Sequence, residues 1–265
     1  MVEQSGADSL NPLAISRLTF PEIEREIARF PALVLPLGGC EPYARFGALG
    51  IASAVAESLA RELSRRMRIL CAPVLPLGCS TPFMSFGGTG GVKPRTFTNT
   101  LCESVRMWYF QGVKAVFIID ALADNHTAVD LAVRRLADSH PECSATVYSL
   151  QRDERVRAFI AQSKSGMELY RAEYGMLSLA AWIDPALVRN PADGPSKPWN
   201  ASSGHFRTWR KRGADPELFR KSAPDCSCSE IAAFYHAGFG KELFEFILGL
   251  LKETVVRVIQ THRTQ

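Results

Sequence analysis

Residues that could do acid/base, nucleophilic or metal chemistry are concentrated in three turns, and each turn follows a short apolar run. They are Cys40, Glu41 and Tyr43 in the first turn, Gly88 and Thr89 in the second, and Asp120, Asp124, Asn125 and His126 in the third. Carboxylates, a thiol and an imidazole grouped in this way are typical of a hydrolytic or ligand-binding site.

Acid/base chemistry without a metal is one interpretation of these turns. Glu41 and Asp124 would form a carboxylate pair, with Tyr43 as a hydrogen-bond donor. Two carboxyl groups held close together raise the pKa of one of them, so that one group donates a proton while the other accepts one.

A cysteine nucleophile is a second interpretation. Cys40 directly precedes Glu41, and Cys79 occupies the equivalent position in the second turn. A thiolate near neutral pH needs a nearby cation or base, and the candidates are His126 and Arg171. Buried cysteines that only pack are the alternative.

The elements that would position these turns alternate between strand and helix. Apolar runs of buried-strand length end near Gly38, Gly78, Asp120 and Leu150. Amphipathic patterns predict helices from Gly50, from Pro94, from about Asn125 to Leu136, in "MELYRAEYGMLSLAAWI" and in "GKELFEFILGLLKETVVRVIQ". We expect an α/β fold, a mainly parallel sheet with helices on both faces, whose ligands bind beyond the carboxyl ends of the strands.

A single domain over residues 1–265 is expected, with a long surface loop at about 184–215 that is rich in Pro, Gly, Asn and Ser. The glycine-rich segment "SFGGTGG", which contains Gly88 and Thr89, lacks the lysine of a P-loop. It is better interpreted as a loop that shapes a pocket than as a nucleotide site.

Composition and charge exclude several partners. The net charge of +4 is spread along the chain, so no nucleic-acid partner is expected. No apolar run approaches the roughly 20 residues of a membrane span, so no membrane partner is expected either. Seven scattered cysteines without a C-x-x-C pair favour reduced thiols and a cytoplasmic location.

The three turns and their flanks resemble the creatininase (creatinine amidohydrolase) family. "LVLPLGGCE" is similar to a family segment LPxGSxEQHG, and "GVKAVFIIDALADN" stands where the family has a strand ending in NGHGGN or NGHYEN. The resemblance runs in order from about Ile15 to Gly249. It implies the creatininase-like three-layer fold, a homo-oligomer, and a hydrolase for a small amide or cyclic nitrogen compound.

The family's pair of divalent metals is the part of the resemblance that this sequence departs from. The family's first-turn Glu falls on Glu41, and an acidic ligand of some members falls on Asp124. The remaining ligand positions fall on Tyr43, Ala52, Phe83 and Leu122, and a later histidine falls loosely around Arg171. We therefore expect neither the family's metal pair nor another cofactor, and creatinine itself is not the expected substrate.

Two further interpretations follow from these replacements. A rebuilt site for zinc, manganese or iron would use Glu41, Asp124 and His126, with Asp120 beside them, provided that the turn is not helical; otherwise Asp124 would cap the following helix. Alternatively, the protein is a non-catalytic pseudoenzyme that binds a small molecule or serves as an oligomeric partner. The sequence leaves these alternatives open and favours an enzyme slightly, since Glu41, Asp124 and Asn125 remain at the strand ends.

Overall fold

The computed structural model describes residues 12–163, 171–190, 215–226 and 235–263. Four strands form one sheet in the order β2-β1-β3-β4. They are β1 (Ala32–Leu37), β2 (Leu70–Cys71), β3 (Ala115–Asp120) and β4 (Ser144–Ser149). All three pairings are parallel, with Leu37 opposite Asp120 and Asp120 opposite Ser149. The predicted parallel sheet is confirmed.

Helices cover both faces of the sheet. They are α1 (Phe20–Arg29), α2 (Ile51–Met67), α3 (Pro94–Phe110), α4 (His126–Ser139), α5 (Glu154–Ser163), α6 (Arg171–Ile183), α7 (Pro216–Ser222) and α8 (Ala237–Arg263). One apolar layer joins Val34 of β1 to helices α2, α6 and α8, and the other joins Leu33, Leu35 and Leu37 to α1, α3 and α4. Every residue of β1 and β3 is buried, as strands covered on both faces must be.

The predicted helix boundaries agree closely with the structure. Helix α3 begins at Pro94, where a missing N–H costs nothing, and the chain leaves it through Gly112 at φ 99°. The predicted apolar stripe of the C-terminal helix, Leu243, Ile247, Leu250 and Leu251, is buried.

The second apolar run does not form the expected strand up to Gly78. Strand β2 contains only Leu70 and Cys71, because Pro73 and Pro76 cannot donate ladder hydrogen bonds. Beyond them, Leu75 makes an isolated parallel bridge to Leu37, and this bridge keeps the second turn beside the first.

Part of the predicted surface loop, residues 191–214, lies outside the described residues. Among the residues that the structure describes, none of the helices is both long and apolar enough to span a bilayer.

Candidate functional site

The turns after β1, β2 and β3 meet at the carboxyl edge of the sheet, and the Asn125 side chain ties them together. Its Nδ2 donates to Asp120 Oδ1 at 3.0 Å and to the Gly38 carbonyl at 3.4 Å. Its Oδ1 accepts the Cys79 backbone N–H at 2.9 Å. Since Asn125 is fully buried, it holds the three turns in one arrangement.

Asp120, the last residue of β3, is fully buried at the centre of this network. Its Oδ1 also accepts the Leu122 N–H at 3.2 Å, and the Ser149 hydroxyl lies 3.5 Å from its Oδ2. Burial raises the pKa of Asp120 to about 7, although these hydrogen bonds and the Arg152 charge oppose the shift. Asp120 therefore acts first as a brace between the strand ends.

The first turn is fastened to its neighbours by its glycines and by Cys40. A Cβ at Gly38 would lie 2.5 Å from Ser53 Cα, so only glycine lets β1 end this close to α2. The Cys40 thiol donates to the Gly88 carbonyl at 3.3 Å, and the Gly90 N–H donates to the Cys40 carbonyl at 3.0 Å. These bonds place Glu41 and Tyr43 in a defined position beside the second turn.

Tyr43 lies among acidic side chains in this turn. The residue is 5% exposed, and its hydroxyl makes no hydrogen bond within the part of the chain that the structure describes. Burial raises the pKa of Tyr43 well above its ordinary value, and the negative charges of Glu41, Asp124, Asp120 and Glu173 raise it further. A buried phenol close to carboxylates is therefore the central feature of the site.

Sequence reasoning missed Glu173, which α6 brings to this cluster. It is the only acidic residue of α6, a helix whose other described side chains are mostly apolar and buried. A lone carboxylate in an apolar helix was the available signal. It was obscured because the resemblance aligns loosely around Arg171.

The structure brings together Glu41, Tyr43, Asp120, Asp124 and Asn125, but it leaves other predicted pocket residues at the margin. His126 is exposed, with its ring Nδ1 2.7 Å from the Ala123 carbonyl of its own turn. Gly88 is exposed at φ 85°, whereas the hydroxyl of Thr89 is buried. The side chain of Arg171 lies outside the described residues.

The turn that carries Asp124 is helical, contrary to what a rebuilt metal site requires. A 3-10 turn, Ala123–Asn125, runs directly into α4. Asp124 is also not the expected cap, because the N-cap position belongs to Asn125, which makes no side-chain cap hydrogen bond.

The second-turn thiol is poorly suited to nucleophilic chemistry. Burial raises the pKa of Cys79 to about 12, and the charges of Asp124 and Asp120 add to the shift. The thiol therefore stays protonated near neutral pH, and an unactivated thiol is a weak nucleophile.

Apolar packing occupies the positions where the resemblance places the missing metal ligands. Leu122 is fully buried, and its Cδ2 would lie 2.6 Å from a Cβ on Gly39 and 2.4 Å from one on Gly78. Phe83 packs edge-on against Phe219 at 5.7 Å between ring centroids. Ala52, in the first turn of α2, lies fully buried in the core.

Among the described residues, those at the ligand positions implied by the resemblance therefore do not match the family's ligand set for a pair of metals. Two of the implied ligands, Glu41 and Asp124, are retained, and a neutral phenol replaces an imidazole. Across residues 12–163, 171–190, 215–226 and 235–263, no group of three His, Cys, Asp or Glu side chains could hold a metal ion.

Comparison with solved structures shows which known fold the chain shares. The chain is 18% identical to a creatinine amidohydrolase (creatininase) of known structure, with a TM-score of 0.68 over 91% of this chain and 96% of that one. A mutant creatininase complexed with creatine gives 18% identity and a TM-score of 0.69, over 91% and 97% of the two chains. A putative creatinine amidohydrolase from Bacteroides fragilis is 19% identical, with a TM-score of 0.68 over 91% of this chain and 96% of that one. These TM-scores establish a shared fold.

Two further comparisons concern the sequence. No curated protein matches the chain. The family model for creatininase, described as creatinine amidohydrolase, matches residues 16–239, which is most of the chain. This protein therefore belongs to the creatininase family.

Proposed function

We propose that this protein is a divergent enzyme of the creatininase family that hydrolyses a small amide or cyclic nitrogen compound without the family's pair of metals. Glu41 and Asp124 are the acid/base pair, and Tyr43 is the hydrogen-bonding group. The observation that carries the proposal is the Tyr43 hydroxyl, which is buried among carboxylates and makes no hydrogen bond within the described residues.

Such an arrangement would provide a general base, a general acid and a hydrogen-bond donor for amide hydrolysis. One carboxylate takes a proton from water as the water oxygen attacks the amide carbon, and the other carboxyl group gives a proton to the leaving nitrogen. The Tyr43 hydroxyl donates a hydrogen bond to the carbonyl oxygen as negative charge develops there. Asp120 and Asn125 hold the turns that carry these groups.

A non-catalytic role remains the second candidate, and the packing of Leu122 favours it. A leucine that fills the space between the first two turns stabilises the scaffold without contributing to chemistry. In that case the pocket binds a small molecule, or the family's homo-oligomeric assembly is the functional unit.

Metal content combined with turnover tests the proposal. The protein is purified without chelator or affinity tag, supplied with zinc, manganese and iron, and analysed by elemental mass spectrometry. We expect less than one metal per chain. We also expect hydrolysis of some members of a panel of cyclic and linear amides to survive chelation.

Variants assign the roles of the two carboxylates. Glu41→Gln and Asp124→Asn should each lower kcat/KM by about 100-fold, as the loss of an acid/base group does. Glu103→Gln, an equal charge change on the exposed face of α3, should leave kcat/KM unchanged. Stoichiometric metal that is lost in Glu41→Gln would instead establish a rebuilt metal site, and ligand binding without turnover would establish the non-catalytic role.

A further inference from the structure

We propose that strand β4 pairs edge to edge with β4 of a second copy of this chain, so that two four-stranded sheets join into one. This contact goes beyond the proposed function, because neither Glu41 nor Asp124 takes part in it. Its basis is an open edge of the sheet whose residues suit a self-complementary contact.

Strand β4 is the last strand of the sheet, and one side of its backbone is open. The Ser144 N–H donates to the Lys114 carbonyl at 2.8 Å, so the even-numbered residues of β4 face β3 and the odd-numbered ones face away. The N–H and C=O groups of Ala145 and Val147 therefore point outwards. Within the part of the chain that the structure describes, these outward groups make no hydrogen bond.

The two edges of the sheet differ in how they are protected. At the opposite edge, β2 has only two residues, and the Cys71 N–H donates to the Leu13 carbonyl at 2.9 Å, so the chain itself covers this edge. Strand β4 has six residues without a charge, a proline or a glycine, and five of them are only half-buried. Open edges are normally blocked by such residues or by pairing. The sequence of β4 therefore suits pairing.

Charges at the ends of β4 select one register for this pairing. Identical strands related by a two-fold axis run antiparallel, and outward-facing residues must meet each other. When the axis passes through Val147, Glu142 of each copy lies opposite Arg152 of the other. An axis one residue earlier would place His140 opposite Arg152, and an axis one residue later would place Glu142 opposite Glu154. Only the register centred on Val147 brings opposite charges together at both ends.

The side chains that this register uses are accessible. Glu142 and Arg152 are 58% and 55% exposed, and their partners in the same chain, His140 at 3.6 Å and Asp130 at 2.9 Å, form exposed pairs that contribute little. Val147 is partly buried against the α3 and α4 layer. Side chains directly opposite each other across an antiparallel pair lie about 5 Å apart, so the two valines would cover each other.

A second copy is the occupant that protects this edge most completely. Pairing through a two-fold axis satisfies both β4 edges with the same contact. The joined sheet then has β2 at both of its ends, and β2 is the edge that each chain already covers. An added peptide strand from another protein would instead leave its own outer edge open.

Amide hydrogen exchange, resolved to single residues by fragmentation in the mass spectrometer, tests the pairing in the full chain. Over a dilution series, we expect the Ala145 and Val147 amides to exchange at least about 100-fold more slowly in the associated protein than in the single chain. The Thr146 and Tyr148 amides face β3 and should stay protected at every concentration.

Two results of this experiment would overturn the inference. One is rapid exchange of the Ala145 and Val147 amides at all concentrations. The other is protection of these amides in a species with the light-scattering mass of one chain, because another segment of the same chain would then cover the edge.

Charge reversal tests the register. Glu142→Arg and Arg152→Glu should each raise by about tenfold the concentration at which half of the Val147 amide is protected, because each makes two attractive contacts repulsive. The double variant should restore the original concentration. Glu24→Arg, an equal reversal on the exposed face of α1, should leave it unchanged. If the single variants have no effect, or the double variant pairs no better than they do, the proposed contact is wrong.

Discussion

Tyr43 illustrates how one replacement changes the character of a site. It stands at a position where the family resemblance places an imidazole, and it keeps a polar atom at the carboxyl edge of the sheet while removing a metal ligand. Its hydroxyl is buried without a hydrogen bond to any residue that the structure describes, and such burial destabilises a protein in the absence of ligand. Stability and binding should therefore respond to this residue in opposite directions.

Substitution Tyr43→Phe should raise the free energy of unfolding by about 1 kcal/mol, because it removes a buried hydroxyl without a hydrogen bond. It should also lower kcat/KM for amide hydrolysis, because Tyr43 is the proposed hydrogen-bond donor to the carbonyl oxygen. Urea unfolding and steady-state kinetics measure the two effects. Tyr109→Phe is a matched control, since the Tyr109 hydroxyl is likewise buried without a hydrogen bond, but it lies in α3. It should raise stability and leave kcat/KM unchanged, whereas a loss of stability in Tyr43→Phe would contradict this account.

Asp120 makes stability depend on pH. Its pKa is about 7 in the folded protein and about 3.9 in the unfolded chain. The folded state therefore holds the proton more tightly, and stability falls as pH rises between these two values. Above about pH 7, the ionised form costs on the order of 4 kcal/mol relative to a neutral isostere.

Asp120→Asn should remove this dependence, since its side-chain oxygen can still accept from Leu122 and Asn125. The gain in unfolding free energy should be larger at about pH 8 than at about pH 5 by roughly 2 to 3 kcal/mol. Urea unfolding at both pH values checks this difference. Asp138→Asn, on the exposed face of α4, should keep the pH dependence of the original protein. If the unfolding free energy of Asp120→Asn depends on pH as steeply as that of the original protein, Asp120 is ionised at little cost in stability.

The turns and the elements around them are fitted to each other by close approach. Glycine at positions 38, 39 and 78 allows the first two turns to lie against α2 and against Leu122. Besides replacing a ligand, the Leu122 side chain packs between the third turn and the first two. It fills space that the glycines leave open, so substitutions at Leu122 and at these glycines should have coupled effects on stability.

A double-mutant cycle tests this coupling. Gly39→Ala should cost about 1 to 3 kcal/mol of unfolding free energy, because the atoms nearest to its Cβ would be those of the Leu122 side chain, from 2.6 Å. In a Leu122→Ala background, most of this cost should disappear. Gly38→Ala is the control, because its Cβ would meet the Ser53 backbone at 2.5 Å, which Leu122→Ala does not relieve. If the losses of unfolding free energy in Gly39→Ala and Leu122→Ala are additive in the double mutant, the close approach of position 39 to Leu122 is contradicted.

The surface of the molecule offers a basis for the expected self-association. Met107 and Phe110 lie one turn apart on α3 and are 59% and 88% exposed. Neighbouring large apolar side chains on one helix face favour a protein contact. We expect the homo-oligomer implied by the family resemblance to use this face of α3.

Light scattering should give a mass that is a multiple of the 29.2 kDa chain. Phe110→Asp should lower that mass at equal concentration, because it places a charge where an apolar contact is proposed. Val256→Asp, on the exposed face of α8, is the comparison and should leave the mass unchanged. A monomer would reject the expected assembly, and an oligomer insensitive to Phe110→Asp would reject this interface.

The sequence predicted the sheet and most of its helices because their signals are local. A run such as "KAVFIID" is apolar at every position, and only a strand covered on both faces buries all of it. The same periodicity placed Cys40, Glu41 and Asp120 at strand ends, and parallel strands bring such ends to one edge. The second run failed as a strand because two prolines interrupt its hydrogen bonding.

The composition of the site was decided only by tertiary packing. Glu173 reaches the cluster because α6 packs against α2 in the apolar layer beside β1, although more than 120 positions of chain separate it from Glu41. His126, which is much closer in sequence to Asp124, turns to the surface because the chain between them is helical. Spacing along the chain therefore determined which turns share an edge. Which side chains meet there depends on helix packing and side-chain direction, and no short stretch of sequence encodes these.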